Sequence, residues 1–355
     1  MHLVFWQPIP SFHQEGFLVD LAKSGWVTSV TLKFESELPV ERRATGWREG
    51  CFEGVQLEPI RLDEVPESSA DHVHIFTGFL THRNVWSAYR RLPKDAPCRC
   101  LAYAEAPECI GFKGLLRRLK YAVNARRLSG NLDAVLAIGD LGARFYRGIL
   151  PSSVKVCEFA YYDVRKADIE AQRCSLEALR GVTPFRFLYV GQLIWRKGLD
   201  RLFKALAQVP SRLEWQLVIV GDGAARAELK KLADDLGISS RLQWSGVVPS
   251  KEVAGYYRRA DCAVLPSRWD GWGMAVNEAL LTGCPILVSP SCGAASAVSS
   301  EYHLSAQVSS WSALLAQRIE KGATSQIERE HLRKLASQLT AEVGTIRLLN
   351  LLRTL

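Results

Sequence analysis

Two acids at a fixed spacing give this chain its clearest chemistry. Asp270 stands on a glycine-rich run, Asp270-Gly271-Trp272-Gly273-Met274, and Glu278 follows eight positions later. The pattern predicts a helix over about 273–282 and a buried strand, Ile286–Val288, after it. Gly271 and Gly273 let the backbone approach a ligand closely. The helix turns its unpaired amides and the positive end of its dipole toward that loop, which suits phosphate. The backbone N–H groups of Trp272, Gly273 and Met274 are therefore candidate sugar and phosphate contacts. The two carboxylates would repel phosphate at short range but accept hydrogen bonds from hydroxyls. A diphosphate flanked by two sets of hydroxyls is a nucleotide-sugar.

Several loops must hold such a ligand. Short apolar runs alternate with longer amphipathic ones, the mark of repeated βα units and parallel sheets. A first series of strands is expected at 3–6, 27–32, 73–76, 99–103, Ala134–Ile138 and 154–159. A second is expected at 187–190, 216–220, 242–244, Cys262–Leu265 and Ile286–Val288. Ligands bind beyond the carboxyl ends of such strands. Those loops carry Gly191, Gln192, Arg196 and Lys197 in the first place, Gly221 in the next, and Arg268 before Asp270. Arg196 and Lys197 supply positive charge for a leaving diphosphate, with Arg268 as a further phosphate candidate beside the neutral Gln192. No Asp-x-Asp metal pair occurs in the sequence. The loop after the first strand offers His13, Gln14, Glu15 and Gly16 to an acceptor or a phosphate. Glu105 ends the 99–103 strand and is placed to bind acceptor hydroxyls or assist proton removal.

At 355 residues the chain suggests two domains. We place an N-terminal acceptor domain at 1–165, a linker at 166–184, a donor domain at 185–325, and terminal helices at 326–355 that can cross back to the first domain. No apolar run reaches transmembrane length and no secretory leader is visible. Nine cysteines without zinc spacing point to reduced thiols in a cytoplasmic protein. The net charge of +8 is concentrated at Lys113, Arg117, Arg118, Lys120, Arg126 and Arg127. Leu115, Leu116, Leu119, Tyr121 and Val123 are interleaved with them. This predicts a helix whose basic face rests on anionic lipid, or else a solvated helix packed on the core by its Leu and Val. Nucleic acid is not indicated, because no recognition motif accompanies the charge.

From 187 to 295 the sequence resembles the donor-binding half of glycosyltransferase family 4, retaining enzymes of the GT-B fold. The matching features are Arg196-Lys197-Gly198, Val220-Gly221-Asp222-Gly223, Gly246 with Pro249, Ala260-Asp261, Leu265-Pro266-Ser267 and the Asp270…Glu278 pair. The first half is similar through Ala104-Glu105-Ala106-Pro107 and Ala137-Ile138-Gly139. The resemblance implies two Rossmann-like parallel-sheet domains facing a central cleft. It assigns Lys197 to the leaving phosphate, shared with Arg196, and Glu278 to the ribose hydroxyls. It assigns the donor sugar's hydroxyls to Asp270, where most relatives carry glutamate, and the base to the backbone at Val247 and Val248. The expected reaction is metal-independent, retaining transfer from a UDP- or GDP-sugar, with no cofactor. The expected acceptor is a lipid-linked glycan of bacterial surface polysaccharide or lipopolysaccharide assembly, at the inner face of the membrane. A non-catalytic nucleotide-sugar binding protein and a GT-B nucleotide-sugar epimerase are the alternatives.

Overall fold

The structure, a computed structural model, describes residues 1–39, 50–79, 81–174 and 184–355. Part of the linker segment, 175–183, falls outside the described residues. The chain divides into two compact units. The first takes the described residues up to Asp163 together with Leu339–Leu355, and the second is built on Val164–Gln338.

The first unit holds β1 (His2–Gln7), β2 (Ser29–Phe34), β3 (Gln56–Pro59), β4 (His72–Thr77), β5 (Arg99–Glu105), β6 (Ala134–Ile138) and β7 (Lys155–Phe159). All pair in parallel, in the order β3-β2-β1-β4-β5-β6-β7. Parallel strands need crossovers. Among them are the helices α1 (Glu15–Lys23), α2 (Arg83–Arg91), α3 (Gly111–Leu128) and α4 (Gly139–Arg147). The central strands are apolar on both faces because both faces are covered. Every residue of β6 is buried, as are Leu3, Val4, Phe5 and Trp6 of β1. β3 was not expected from the sequence. It is an exposed edge strand, Gln-Leu-Glu-Pro, with no inward face to create an alternation and a proline that an edge tolerates.

Inside this sheet His74 is almost fully buried. Its Nδ1 accepts from Trp6 Nε1 at 3.1 Å, and its Nε2 donates to the Glu67 carbonyl at 2.8 Å. A second ring proton would face the Trp6 N–H. Burial pushes its pKa down to about 4 from 6.5, against the pull of the Glu67 carbonyl. The folded state therefore binds fewer protons than the unfolded one between those values. Stability from this group is complete above about pH 6.5 and is lost as pH falls toward 4, by about 3 kcal/mol in full. Urea melts at neutral and mildly acidic pH are expected to show that slope, and His74→Gln to flatten it.

α3 departs from one of its two expected placements. Leu115, Leu116, Leu119 and Val123 do not pack on the core but are more than half exposed, while Gly114, Tyr121 and Ala125 face inward. A Cβ at Gly114 would lie 2.2 Å from the Cys109 carbonyl carbon, so this turn seats only a glycine.

The second unit begins with α5 (Lys166–Cys174) and continues β8 (Phe185–Val190), α6 (Leu199–Leu206), β9 (Trp215–Val220), α7 (Arg226–Asp235), β10 (Leu242–Gly246), α8 (Ser250–Arg259), β11 (Cys262–Leu265), α9 (Ala275–Thr282) and β12 (Ile286–Val288). α10 (Trp311–Lys321) and α11 (Gln326–Ala336) complete it, and α12 (Ala341–Leu352) returns to the first unit. There Arg347 Nη1 donates to the Tyr162 hydroxyl at 2.8 Å. The five strands run parallel in the order β10-β9-β8-β11-β12. Phe187, Tyr189, Leu202, Phe203, Leu217, Ile219, Trp311 and Leu315 form its core. The sheet grows outward from β8 to one side, then restarts at β11 on the other. That makes the β8/β11 boundary the topological switch point, where loops part and leave a crevice.

Candidate functional site

The two loops flanking that boundary are 191–198 after β8 and 266–274 after β11, and they carry most of the expected site. They are fastened directly, because Arg268 N–H donates to the Arg196 carbonyl at 2.8 Å. Gly198 makes the approach feasible. Its φ is 71°, and a Cβ there would lie 2.3 Å from the Pro266 carbonyl oxygen.

Side-chain chemistry follows from that closeness. Lys197 Nζ donates to Asp270 Oδ2 at 2.5 Å, and Arg196 Nη1 lies 3.7 Å from Asp270 Oδ1. Arg196 also donates to the Trp269 carbonyl at 3.0 Å. Asp270 is buried, and its backbone is stitched to the loop after β12: its N–H donates to the Ser291 carbonyl, and its carbonyl accepts from Gly293 N–H. Two cations thus converge on one fixed carboxylate, leaving a net positive point at the switch. Tyr189 is buried beneath them, and burial, followed by the Asp270 charge, pushes its phenol well above the usual range. Its hydroxyl donates to the Gln192 carbonyl at 2.8 Å, while the Gln192 side chain lies in an exposed position.

Arg268 has a different place from the expected phosphate contact. Its Nη1 and Nη2 grip Asp200 Oδ1 and Oδ2 at 2.6 and 2.7 Å, in the two-pronged geometry that suits guanidinium and carboxylate. The guanidinium lies 4.4 Å from the Trp195 ring centre and donates to the Trp195 carbonyl. Its donors are therefore turned to its own scaffold, and Arg268 braces the two loops. Burial pushes the Asp200 carboxyl up, but the Arg268 hydrogen bonds and charge outweigh it, so the group is held below its ordinary value. Asp200 was not singled out from the sequence. Its one signal is a place in the first turn of α6, two residues after Gly198.

Glu278 occupies the first turn of α9, at the positive end of that helix. Tyr257 of α8, fully buried, places its hydroxyl 3.0 Å from Glu278 Oε2 and 3.2 Å from the Ala275 carbonyl. Burial, reinforced by the Glu278 charge, pushes its phenol well above the usual range, so it remains a donor to the carboxylate. Gly271, Trp272 and Gly273 are buried and Met274 half-buried. The Trp272 indole turns inward and donates to Asn277 Oδ1 at 2.9 Å. Helix α9 starts at Ala275, two residues later than its sequence pattern suggests.

The remaining strand ends join the same rim. Gly221 N–H donates to the Gly246 carbonyl at 2.7 Å, and Gly191 N–H to the Val220 carbonyl at 3.0 Å. Gly221 has φ 129°, and a Cβ there would fall 2.0 Å from the Gly191 carbonyl oxygen. Val247, exposed, and Val248, half-buried, follow directly after β10.

In the first unit, the β1/β4 boundary is the corresponding switch point. The segment after β1 is shorter than the expected loop. Phe12–Gln14 forms a single 3-10 turn, so Glu15 and Gly16 already lie in the first turn of α1. His13 Nδ1 lies 3.8 Å from Asp163 Oδ2, and Gln14 is buried, accepting from Gln7 Nε2. Glu105 ends β5 in an exposed position, and its carboxylate accepts from the Tyr161 hydroxyl at 3.1 Å. Arg99, at the other end of β5, donates to the Leu352 carbonyl. Among the described residues no group of three His, Cys, Asp or Glu is arranged to hold a metal ion.

Two Rossmann-like units of parallel sheet, with loops gathered at the switch points, define the GT-B architecture. Solved structures of that architecture align along the chain. The lipopolysaccharide outer core galactosyltransferase WaaB, apo form, superposes with a TM-score of 0.71 at 15% identity over 100% of both chains. Anabaena Alr3699/HepE in complex with UDP superposes with a TM-score of 0.68 at 16% identity, again over 100% of both. Residues 177–339 match the family model of Glycosyl transferases group 1. A GDP-mannose-dependent alpha-(1-6)-phosphatidylinositol monomannoside mannosyltransferase of Mycobacterium tuberculosis is 34% identical over 113 residues, 30% of this chain and 29% of that protein. At about this identity, the chain spans less than a third of the length of the curated relatives it matches.

Proposed function

We propose that this chain is a glycosyltransferase that moves a sugar from a nucleotide-diphosphate sugar to a glycan acceptor, with retention at the anomeric carbon and without a metal. The observation that carries the reading is the convergence of Lys197 and Arg196 on Asp270 at the switch point, on the loops that lead to α9 and Glu278. Breaking the sugar–phosphate bond sends its electron pair to the diphosphate, and catalysis requires positive charge already in place where that charge develops. Lys197, Arg196 and the amide end of α9 supply it. Lys197 is paired with Asp270. The leaving phosphate gives Lys197 a second anionic partner, Asp270 accepts from the donor sugar's hydroxyls, and Glu278, held by Tyr257, takes the ribose. The loop backbone at Val247 and Val248 receives the base, and UDP- and GDP-sugars both fit that mode. Family 4 membership belongs to the same proposal.

His13, Gln14 and Glu105 are proposed to serve the acceptor. That acceptor is lipid-linked, in surface polysaccharide or lipopolysaccharide assembly at the inner membrane face. Similarity to a phosphatidylinositol monomannoside mannosyltransferase and to a lipopolysaccharide outer core galactosyltransferase supports that class.

A thermal-shift series with UDP, GDP, ADP and CDP, each with and without EDTA, tests the donor site. A ligand that binds only the folded state raises the midpoint. One nucleoside diphosphate is expected to raise it selectively and equally in EDTA. A flat response to all four overturns the donor reading, and a shift abolished by EDTA overturns metal independence. Slow release of free sugar from the matching donor separates an enzyme from a binding protein.

A further inference from the structure

Helix α3 presents an apolar ridge to solvent. Phe112 is 74% exposed, Leu115 53%, Leu116 52%, Leu119 57% and Val123 53%. At about 100° per residue these positions fall on one stripe along the helix, on the side opposite Gly114, Tyr121 and Ala125, which hold it to the unit. An amphipathic helix normally turns such a stripe inward. Here the inward face is made from a glycine, an alanine and one tyrosine, and the glycine lies against the Cys109 backbone. The orientation is thus fixed by close approach on the other side.

Charge identifies what covers the ridge. Six of the eighteen residues of α3 are Lys or Arg and none is acidic. Lys113 and Lys120 line one flank, Arg126 with Arg127 continue the ridge in the last turn, and Arg117 and Arg118 lie further round toward the inward face, where Arg117 donates to the Glu108 carbonyl. An apolar stripe edged by cations on a helix lying along the surface matches the boundary of an anionic bilayer, where apolar side chains enter the acyl region and cations meet headgroups. No helix among the described residues is long and apolar enough to cross a membrane, so contact of this kind is in-plane.

We infer that α3 docks the chain on anionic lipid, with Phe112, Leu115, Leu116, Leu119 and Val123 inserted and Lys113, Lys120, Arg126 and Arg127 at headgroup level. This deepens the reading of a membrane-borne acceptor and rests on it for its purpose, since the geometry itself involves no donor-site residue.

The test is co-sedimentation of the full chain with vesicles of phosphatidylcholine alone or mixed with phosphatidylglycerol, at low and high salt. The wild-type chain is expected to sediment only with the mixed vesicles and to be released by salt. Lys113→Gln/Lys120→Gln/Arg127→Gln should weaken partitioning on the order of a hundredfold. Phe112→Ser/Leu119→Ser should weaken it as strongly while the charge stays in place, and these exposed positions leave the fold intact. Equal binding to neutral vesicles, no binding at all, or an unchanged ridge variant overturns the inference. So does sedimentation velocity showing that the ridge variant only dissociates a dimer of the wild-type chain. Nucleotide thermal shifts on the same variants report the donor site separately, so its failure and failure of lipid docking are read apart.

Discussion

Replacing Lys197 by alanine is expected to lower turnover at saturating donor on the order of a hundred- to a thousandfold, the usual cost of removing one group that stabilises charge developing in the transition state. The fold should survive. Lys197 is a partly exposed side chain that meets Asp270, and Arg196 stays 3.7 Å from that carboxylate to hold part of its charge. An unchanged melting temperature alongside the loss would place the effect in chemistry. The division of the loss is informative. If Lys197 acts on the leaving diphosphate as the bond breaks, kcat falls more than KM rises; a cation that only gathers the donor raises KM alone. Normal turnover in this variant would remove Lys197 from the mechanism and leave its pairing with Asp270 as a structural clasp.

Sequence reading succeeds first at the strands. Strands buried on both faces announce themselves as continuous apolar runs. Ala134–Ile138, Cys262–Leu265 and Ile286–Val288 appear at their expected bounds for that reason. Partners set by strand order are another matter. Arg268 and Asp200 are 68 residues apart, and only the insertion of β11 beside β8 brings their loops together. From the sequence, Arg268 is simply a cation near an expected phosphate; its engagement by Asp200 and Trp195 is a property of the folded crevice. Tyr257 is similarly hidden, because nothing local distinguishes a tyrosine that fills the core from one that also fixes a carboxylate. The stripe on α3 was legible as a stripe. Which side it turns to the unit was decided by Gly114 and Ala125, residues too small to register in an apolar pattern. At the opposite extreme, β3 has no inward face and left no trace.

Glu278→Gln provides the second large effect and separates the two ends of the donor. Glutamine keeps the shape and one acceptor, so Tyr257 still has a partner and the helix start is preserved. On the proposed role of Glu278, what is lost is the negative charge and the second acceptor for a ribose hydroxyl. Hydrogen bonds to charged groups contribute about 1.5–3 kcal/mol, which corresponds to roughly a ten- to hundredfold loss in donor affinity. Because the ribose takes no part in bond breaking, the loss should be uniform between ground and transition states. It is expected in KM, and equally in the affinity for the free nucleoside diphosphate, with kcat little changed. Isothermal titration of the nucleotide that stabilises the wild-type chain measures it directly. Lys197→Ala should show the opposite signature, a large fall in kcat with a smaller change in nucleotide affinity. If both variants lose kcat alone, Glu278 acts at the reacting centre and the ribose must be held elsewhere. If Glu278→Gln leaves nucleotide affinity and kinetics intact, the contact between Tyr257 and Glu278 serves only to anchor α8 against α9.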